Sequence, residues 1–272
     1  MSDAVSPDAA SYGLAGKIVV LTGAGGGIGR ALATAFWRAG ARLALLDRDV
    51  SLSTPLAEEL VQEGAEVIAL GCDVGDPSSV AAAAKAVLEQ LGPADVLVNN
   101  AATLEAGALI DLPLDAWNRL LSVNLTGYFL CAQAFARQMA ANGGGTMVHT
   151  GSVAGNYPQA FSGAYSVAKA GVAMLSRLLA VELGASGIRS NVVSPAMVLT
   201  PMSAGFYSDP DMRSKREAMV PAGRIGMPSD IADAVLWLAS PRSSYVNGVD
   251  LAVDGALPAN LLRFIPRPGY ER

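Results

Sequence analysis

Histidine is almost absent: His149 is the single one in 272 residues. A His-rich metal centre is excluded, and a Ser-His-Asp hydrolase would rest on a residue inside an apolar run with no evident acid partner. Cysteine is equally scarce. Cys72 and Cys131, far apart in sequence, make neither a disulfide framework nor a zinc site, so no metal is expected and a reducing cytoplasm is the expected compartment. Charged residues make up 16% of the chain and the net charge is −5, which disfavours a general nucleic-acid or anionic-membrane surface. No apolar run is long enough to span a bilayer, so no membrane is expected. The opening MSDAVSPDAASYG has neither the basic start nor the apolar core of a signal peptide. Internal repeats and low-complexity tracts are lacking as well.

The apolar half of the chain, 51% by composition, falls in an alternating pattern. Short apolar runs at 17–22, 42–47, 66–72 and 95–99 read as buried strands, separated by helical patterns ending at Gly40 and over about 54–63 and 77–91. A helix over 114–142 capped by Asp115, a strand over 145–152, a long helix over 162–184, a strand over 188–195, a helix over 229–239 and a strand over 248–253 follow. This rhythm predicts a single α/β domain over 16–257, with a doubly wound sheet of parallel strands and helices on both faces. Residues 1–15 are expected to be a flexible arm. The stretch 258–272, with three prolines and arginines at 263, 267 and 272, is expected to pack on a partner subunit or fray. Residues 196–222 show no core periodicity and predict a lid over a pocket, with Ala154, Met202, Phe206 and Tyr207 as substrate-lining candidates.

Between the first strand and first helix lies Gly23-Ala-Gly-Gly-Gly-Ile-Gly29. Strand, glycine loop, helix is the arrangement that aims backbone N–H groups at a phosphate. The spacing of Gly23, Gly27 and Gly29 is G-x-x-x-G-x-G, and no Walker lysine follows. Asp47 closes the second strand about 20 residues after the loop, where a carboxylate accepts hydrogen bonds from a ribose and repels a 2′-phosphate. NAD is therefore expected over NADP, with Arg48 leaving room for the phosphorylated form. Asp73 and Asn100 stand at later strand ends, along the edge where ligands bind: Asp73 is placed to meet an adenine edge and Asn100 to fix backbone near a nicotinamide ribose. For Asp73, as for Asn99 and Asn100, capping of the next helix is the alternative. Asn124 interrupts a helical stretch, where asparagine competes for backbone hydrogen bonds, and points to a local irregularity or to simple surface placement.

In the long helix, Tyr165 and Lys169 lie one turn apart on one face. A free tyrosine, with a pKa of about 10, is a poor base, and a nearby cation lowers that value. Tyr165 could then exchange a proton with an alcohol oxygen. Ser152, at the end of the fifth strand, precedes it by 13 residues, which leaves room for a loop that returns to the helix start.

Taken together, Thr22-Gly-x3-Gly-x-Gly29, Asp73, Asn99-Asn-Ala101, Asn124, Ser152, Tyr165-x3-Lys169, Pro195 and Val253-Asp-Gly255 resemble the short-chain dehydrogenase/reductase family along residues 14–256. The resemblance implies a seven-stranded Rossmann-like sheet and an enzyme that interconverts a secondary alcohol and a ketone, with NAD as cofactor. It implies Tyr165 as general acid/base, Ser152 as the residue that orients the substrate oxygen, and Lys169 as ribose ligand and modulator of Tyr165. Asn124 would hold a water linking Lys169 to solvent. Cofactor contacts would come from Gly23, Gly26, Gly27, Ile28, Asp47, Asp73, Val74, Asn100 and Pro195, while Val198 and Thr200 would receive the carboxamide. A homo-oligomer, tetramer before dimer, is implied, and the substrate would be a cyclic alcohol, sugar or polyol. Ala102, Ala196 and Ala256 stand where the family often has glycine, each adding a methyl near the site. An NADP-dependent carbonyl reductase and a non-catalytic dinucleotide-binding regulator are the alternatives. All three of Ser152, Tyr165 and Lys169 are present, which argues against the second.

Overall fold

The computed structural model describes residues 12–265 and 269. Seven parallel strands form one sheet: β1 (Ile18–Thr22), β2 (Arg42–Asp47), β3 (Val67–Gly71), β4 (Val96–Asn99), β5 (Gly145–Thr150), β6 (Ile188–Pro195) and β7 (Asp250–Val253). Their order is β3-β2-β1-β4-β5-β6-β7, with the direction of winding reversing between β1 and β4. The helices are α1 (Gly27–Arg38), α2 (Thr54–Gln62), α3 (Pro77–Gln90), α4 (Leu114–Leu121), α5 (Gly127–Ala141), α6 (Tyr165–Leu183), α7 (Pro210–Met219) and α8 (Pro228–Ala239).

Side chains alternate across the sheet, as strand geometry requires. Val19, Leu21, Leu43, Leu45, Val96 and Val98 face one layer, where Leu32 and Phe36 of α1 meet Leu60 of α2 and Ile231 and Val235 of α8. Val20, Ala44, Leu46 and Leu97 face the other, against Val80 and Val87 of α3 and Cys131, Phe135 and Met139 of α5. Both faces are buried, which is why these strands are near-continuous apolar runs. The turn from β1 into α1 is tightly packed. A Cβ on Gly29 would lie 2.2 Å from the Gly23 carbonyl oxygen. Gly29→Ala is expected to lower the melting midpoint by about 3–10 °C, from an overpacking cost of about 1–3 kcal/mol, read by thermal denaturation.

Three local expectations are corrected. The long helix starts at Tyr165 rather than 162, because Phe161 and Gly163 both hold positive φ (59° and 57°) and turn the chain just before it. The 114–142 helix is capped by Pro113, not Asp115, which sits in the first turn and pairs with Arg119. It also carries a π-helical turn, Ser122–Thr126, between α4 and α5. Within 196–222 lies a regular helix, α7, whose Asp209 cap accepts the Asp211 N–H at 2.9 Å. None of its residues is buried, so it left no apolar stripe to read.

Most of the expected N-terminal arm, residues 1–11, lies outside the described residues. Its last part is packed: Leu14 is buried in the core, with Tyr12 against the same cluster. At the other end, residues 258–264 form short 3₁₀ turns, and Asn260 Nδ2 donates to the Met219 carbonyl at the end of α7 at 2.9 Å. Arg267 and Arg272 lie outside the described residues.

Candidate active site

The carboxyl ends of β1, β2, β4 and β5 converge with the start of α6. After Thr22 the chain turns through Gly23 at φ +65°, a conformation that suits glycine, and a Cβ there would lie 2.7 Å from Ala101 Cα. Thr22 Oγ1 accepts the N–H groups of Asn100 (3.0 Å) and Ala101 (3.1 Å). Asn100 Nδ2 returns donors to the carbonyls of Thr22 (3.3 Å) and Gly23 (3.1 Å). Asn100 is thus a clamp on the glycine loop rather than a helix cap.

The α1 N-cap is Gly26, with no side-chain hydrogen bond to the first turn. Amide donors at a helix start lack intrahelical partners, so this uncapped end fits an anionic pyrophosphate. A Cβ on Gly27 would lie 2.7 Å from Pro201 Cδ and 3.1 Å from Thr200 Cβ, which brings the segment after β6 against the same helix start. Asp47 Oδ2 accepts the Gly25 N–H at 2.9 Å and Oδ1 the Asp49 N–H at 3.2 Å. The carboxylate is held at the mouth of the loop with lone pairs to spare. Asp73 Oδ1 accepts the Gly75 N–H at 2.9 Å and shapes the turn before α3, whose cap is Asp76.

Ser152 follows β5 in extended backbone, and its Oγ accepts the Ala154 N–H at 3.1 Å. Its hydroxyl proton is therefore available to a second oxygen. A hydrogen bond with Ser152 favours the Tyr165 phenolate, but burial outweighs it and raises the Tyr165 pKa above the ordinary phenol value. This corrects the expectation that Lys169 depresses Tyr165 in the isolated chain. Lys169 is fully buried and desolvation lowers its own pKa to about 7, so its charge near neutrality is only partly held. Lys169 Nζ donates to the Thr150 carbonyl at 2.7 Å and to the Tyr128 hydroxyl at 3.2 Å. A continuous path links it to the glycine loop, because Thr150 Oγ1 donates to Asn100 Oδ1 at 3.2 Å.

Beneath Lys169 the Tyr128 ring stacks on His149, centroids 6.0 Å apart. His149 is a satisfied core residue. Asn99 Nδ2 lies 3.1 Å from its Nδ1 and donates to the Tyr128 carbonyl at 3.1 Å, so Nδ1 accepts and Nε2–H faces Ser190 Oγ at 3.1 Å. Burial, with Lys169 a lesser cause, lowers the His149 pKa to about 3, which leaves no base for hydrolysis. Asn124 sits in the π turn, fully buried. Its Oδ1 accepts the Thr103 N–H at 2.8 Å and its Nδ2 donates to the Thr103 carbonyl at 2.7 Å. The irregularity expected from an asparagine in mid-helix is real, and it fixes the loop after β4.

Among the substrate candidates, Ala154 and Tyr207 are buried, while Met202 and Phe206 are exposed. Phe206 and Tyr207 are drawn to the Arg216 guanidinium, 5.0 and 5.2 Å from their ring centres. Val198 is buried and bridges to Gly226; Pro195 ends β6. Val74 is buried against the α5 face, where it would meet a Cβ on Gly127 at 2.8 Å. Thr150 and Tyr128 escaped the sequence reading. The signal for Tyr128 was its place four residues after Asn124, one turn on along the same helix.

A parallel sheet of this order, with a glycine loop opening onto the first helix at its carboxyl edge, is a Rossmann-like architecture. The family model described as "Enoyl-(Acyl carrier protein) reductase" matches residues 23–257. The galactitol 2-dehydrogenase (L-tagatose-forming) of Cereibacter sphaeroides is 40% identical over 248 residues, covering 90% of this chain and 96% of its own. The cis-4-hydroxycyclohexanecarboxylate dehydrogenase of Sinomonas cyclohexanicum is 40% identical over 244 residues, covering 89% and 97%. A solved gluconate 5-dehydrogenase from Burkholderia cenocepacia J2315, in complex with NADP and tartrate, superposes with a TM-score of 0.86 at 32% identity, covering 90% and 96%. The chain belongs to the short-chain dehydrogenase/reductase family and is an oxidoreductase of that type, acting with a nicotinamide cofactor. No helix among the described residues is long and apolar enough to cross a membrane.

Proposed function

We infer that this protein is an NAD(H)-dependent dehydrogenase that interconverts a secondary alcohol and a ketone of the polyol, sugar or cyclic-alcohol class. The observation that carries the reading is the hydrogen-bonded path from the glycine loop through Asn100 and Thr150 to Lys169, one helical turn from Tyr165. The nicotinamide supplies the hydride acceptor or donor. Ser152 turns its hydroxyl proton from Tyr165 to the substrate oxygen when substrate is bound. Tyr165 takes the alcohol proton during oxidation and returns it during reduction. Lys169, carrying its charge, favours the phenolate and has a donor left for a ribose hydroxyl. Asn124 fixes the backbone beside the site with both amide atoms, and a water held there links Lys169 to solvent. Gly23, Gly26, Gly27 and Ile28 hold the pyrophosphate, Asp73 and Val74 border the adenine, and Pro195, Val198 and Thr200 border the carboxamide. Residues 196–222 act as the lid, with Ala154, Met202, Phe206 and Tyr207 toward the substrate.

NAD is assigned on Asp47, whose charge favours two free ribose hydroxyls over a 2′-phosphate. A similar structure holds NADP, so the carboxylate is the point to test. Asp47→Ser is expected to lower kcat/KM with NAD⁺ by about 10–100-fold, the loss of a charge-assisted hydrogen bond, and to raise activity with NADP⁺. A substrate panel of polyols, sugars and cyclic alcohols, followed by reduced-cofactor absorbance, reads both. An unchanged cofactor ratio would place the ribose reading elsewhere.

The assembly is assigned as a homo-oligomer, with a tetramer preferred. Phe129, Val167, Met174, Leu178 and Val181 are exposed apolar side chains on α5 and α6, available to a subunit interface. Both cysteines are buried and unpaired, in keeping with a cytoplasmic protein.

A further inference from the structure

One fully buried phenol has no place in the reaction described above. Tyr128 lies on α5, not on the helix of the catalytic pair, and its hydroxyl sits in a closed triangle. It donates to the Thr150 carbonyl at 3.1 Å and accepts from Lys169 Nζ at 3.2 Å, while Nζ itself donates to Thr150 at 2.7 Å. The proton of the phenol is committed to Thr150, so a lone pair faces the ammonium. The Tyr128 ring adds its face to the same cation, with Nζ 4.9 Å from the ring centre. Burial holds the Tyr128 pKa well above the ordinary value, so the group stays neutral and acts only as a dipole.

A buried ammonium needs acceptors to keep its charge. Among the described residues Lys169 has two, one a main-chain carbonyl and the other this phenol. Every other titratable group packed around it is neutral or distant in effect. His149 on β5 is held neutral by burial, Cys131 on α5 is pushed up by burial, and Tyr165 on α6 is the group that Lys169 is there to assist. No carboxylate enters this pocket among the hydrogen bonds and ion pairs of Lys169. The charge therefore depends on two oxygens, and one of them is a side chain that substitution can remove without disturbing the backbone.

We propose that Tyr128 is a positioning residue of the dehydrogenase: its hydroxyl seats and sustains the Lys169 ammonium, and through it the proton exchange at Tyr165. The inference rests on the proposed alcohol dehydrogenase reading. Tyr128→Phe removes the acceptor and keeps the ring, its stacking on His149 and its volume. Lys169 would then give up its proton more readily, and Tyr165 would lose the cation that favours its phenolate. In the NAD⁺-bound protein Tyr165 would then ionise at higher pH, and the rise of alcohol oxidation with pH would move the same way.

The test uses full-length protein and four forms: the parent, Tyr128→Phe, Tyr165→Phe and the double variant. Phenolate absorbance of the NAD⁺-bound forms is followed against pH, and the Tyr165 contribution is isolated by difference, parent minus Tyr165→Phe and Tyr128→Phe minus the double variant. The Tyr165 midpoint is expected to rise by about half a pH unit or more in the Tyr128→Phe background. With a substrate, kcat/KM is expected to fall about 3–30-fold, with a matching displacement of the pH profile and a melting midpoint lowered by only about 2–8 °C. A Tyr165 midpoint and pH profile that stay at parent values in a folded Tyr128→Phe protein overturn the inference. If Tyr165→Phe retains full turnover, the dehydrogenase mechanism itself fails, which is a separate result. Should Tyr128→Phe not fold, Tyr128→Gln and Tyr128→Leu replace it. The glutamine variant, which keeps an acceptor, must hold the midpoint nearer the parent than the leucine variant, and equal midpoints would reject the role.

Discussion

Tyr165→Phe is expected to lower kcat/KM by about 10²–10⁴-fold, the usual contribution of a positioned proton donor, or roughly 3–5 kcal/mol of transition-state stabilisation. The fold should survive. The phenyl ring keeps its packing beside Leu112 and Leu120, and the one hydrogen bond lost is that to Ser152. Such a loss costs about 1 kcal/mol, a shift of about 2–4 °C in melting midpoint for a chain of this size. Reduced-cofactor fluorescence should still report binding, because the path from Gly23 through Asn100 and Thr150 does not pass through the Tyr165 hydroxyl. Full turnover in the variant would remove Tyr165 from the chemistry.

Lys169→Met separates activity from stability in opposite directions. Turnover should fall about 10²-fold or more, since both the ribose donor and the charge beside Tyr165 are lost. Stability should rise. The lysine pKa falls from 10.5 to about 7 on folding, so the unfolded chain binds more protons than the folded one across that interval. The cost of burying this group is full below about pH 7 and disappears as pH climbs through the unfolded value, so the parent gains stability from pH 7 toward 10.5. The size of the effect is on the order of a few kcal/mol. Methionine, of similar length and without charge, removes the cost at every pH. Denaturant unfolding at pH 7 and pH 10 should show the variant more stable at the lower pH and the two proteins converging at the higher. A variant less stable at both would mean that the ammonium supports the fold.

The central strands were readable because burial on both faces makes β1, β2 and β4 nearly continuous apolar runs, and β6 ends where its pattern does. The glycine loop, Asp47, Ser152, Tyr165 and Lys169 were readable because each stands at a strand end or helix start that the alternation had already located. What escaped has physical reasons. Helix α7 buries nothing, so periodicity had nothing to register. The first residues assigned to α6 are a turn because of two positive φ values, and a phenylalanine gives no hint of one. The electrostatics ran against the simple expectation because burial, invisible in a spacing of four residues, acts on Tyr165 and Lys169 more strongly than either acts on the other. Tyr128 was hidden as an ordinary core aromatic until the depth of Lys169 was known.

The π turn at Ser122–Thr126 sets a rotational phase. Each residue in a helix advances the side chains by about 100°, so one residue lost from this turn would rotate everything downstream by that angle relative to α4. Tyr128, Cys131, Phe135 and Met139 would swing off the sheet together, and Tyr128 would leave Lys169. Asn124, bonded through both amide atoms to Thr103, fastens that turn to the loop after β4. Length changes are therefore barred here, and the distance in sequence from Leu114 to Tyr128 is as much a requirement of the site as any side chain in it.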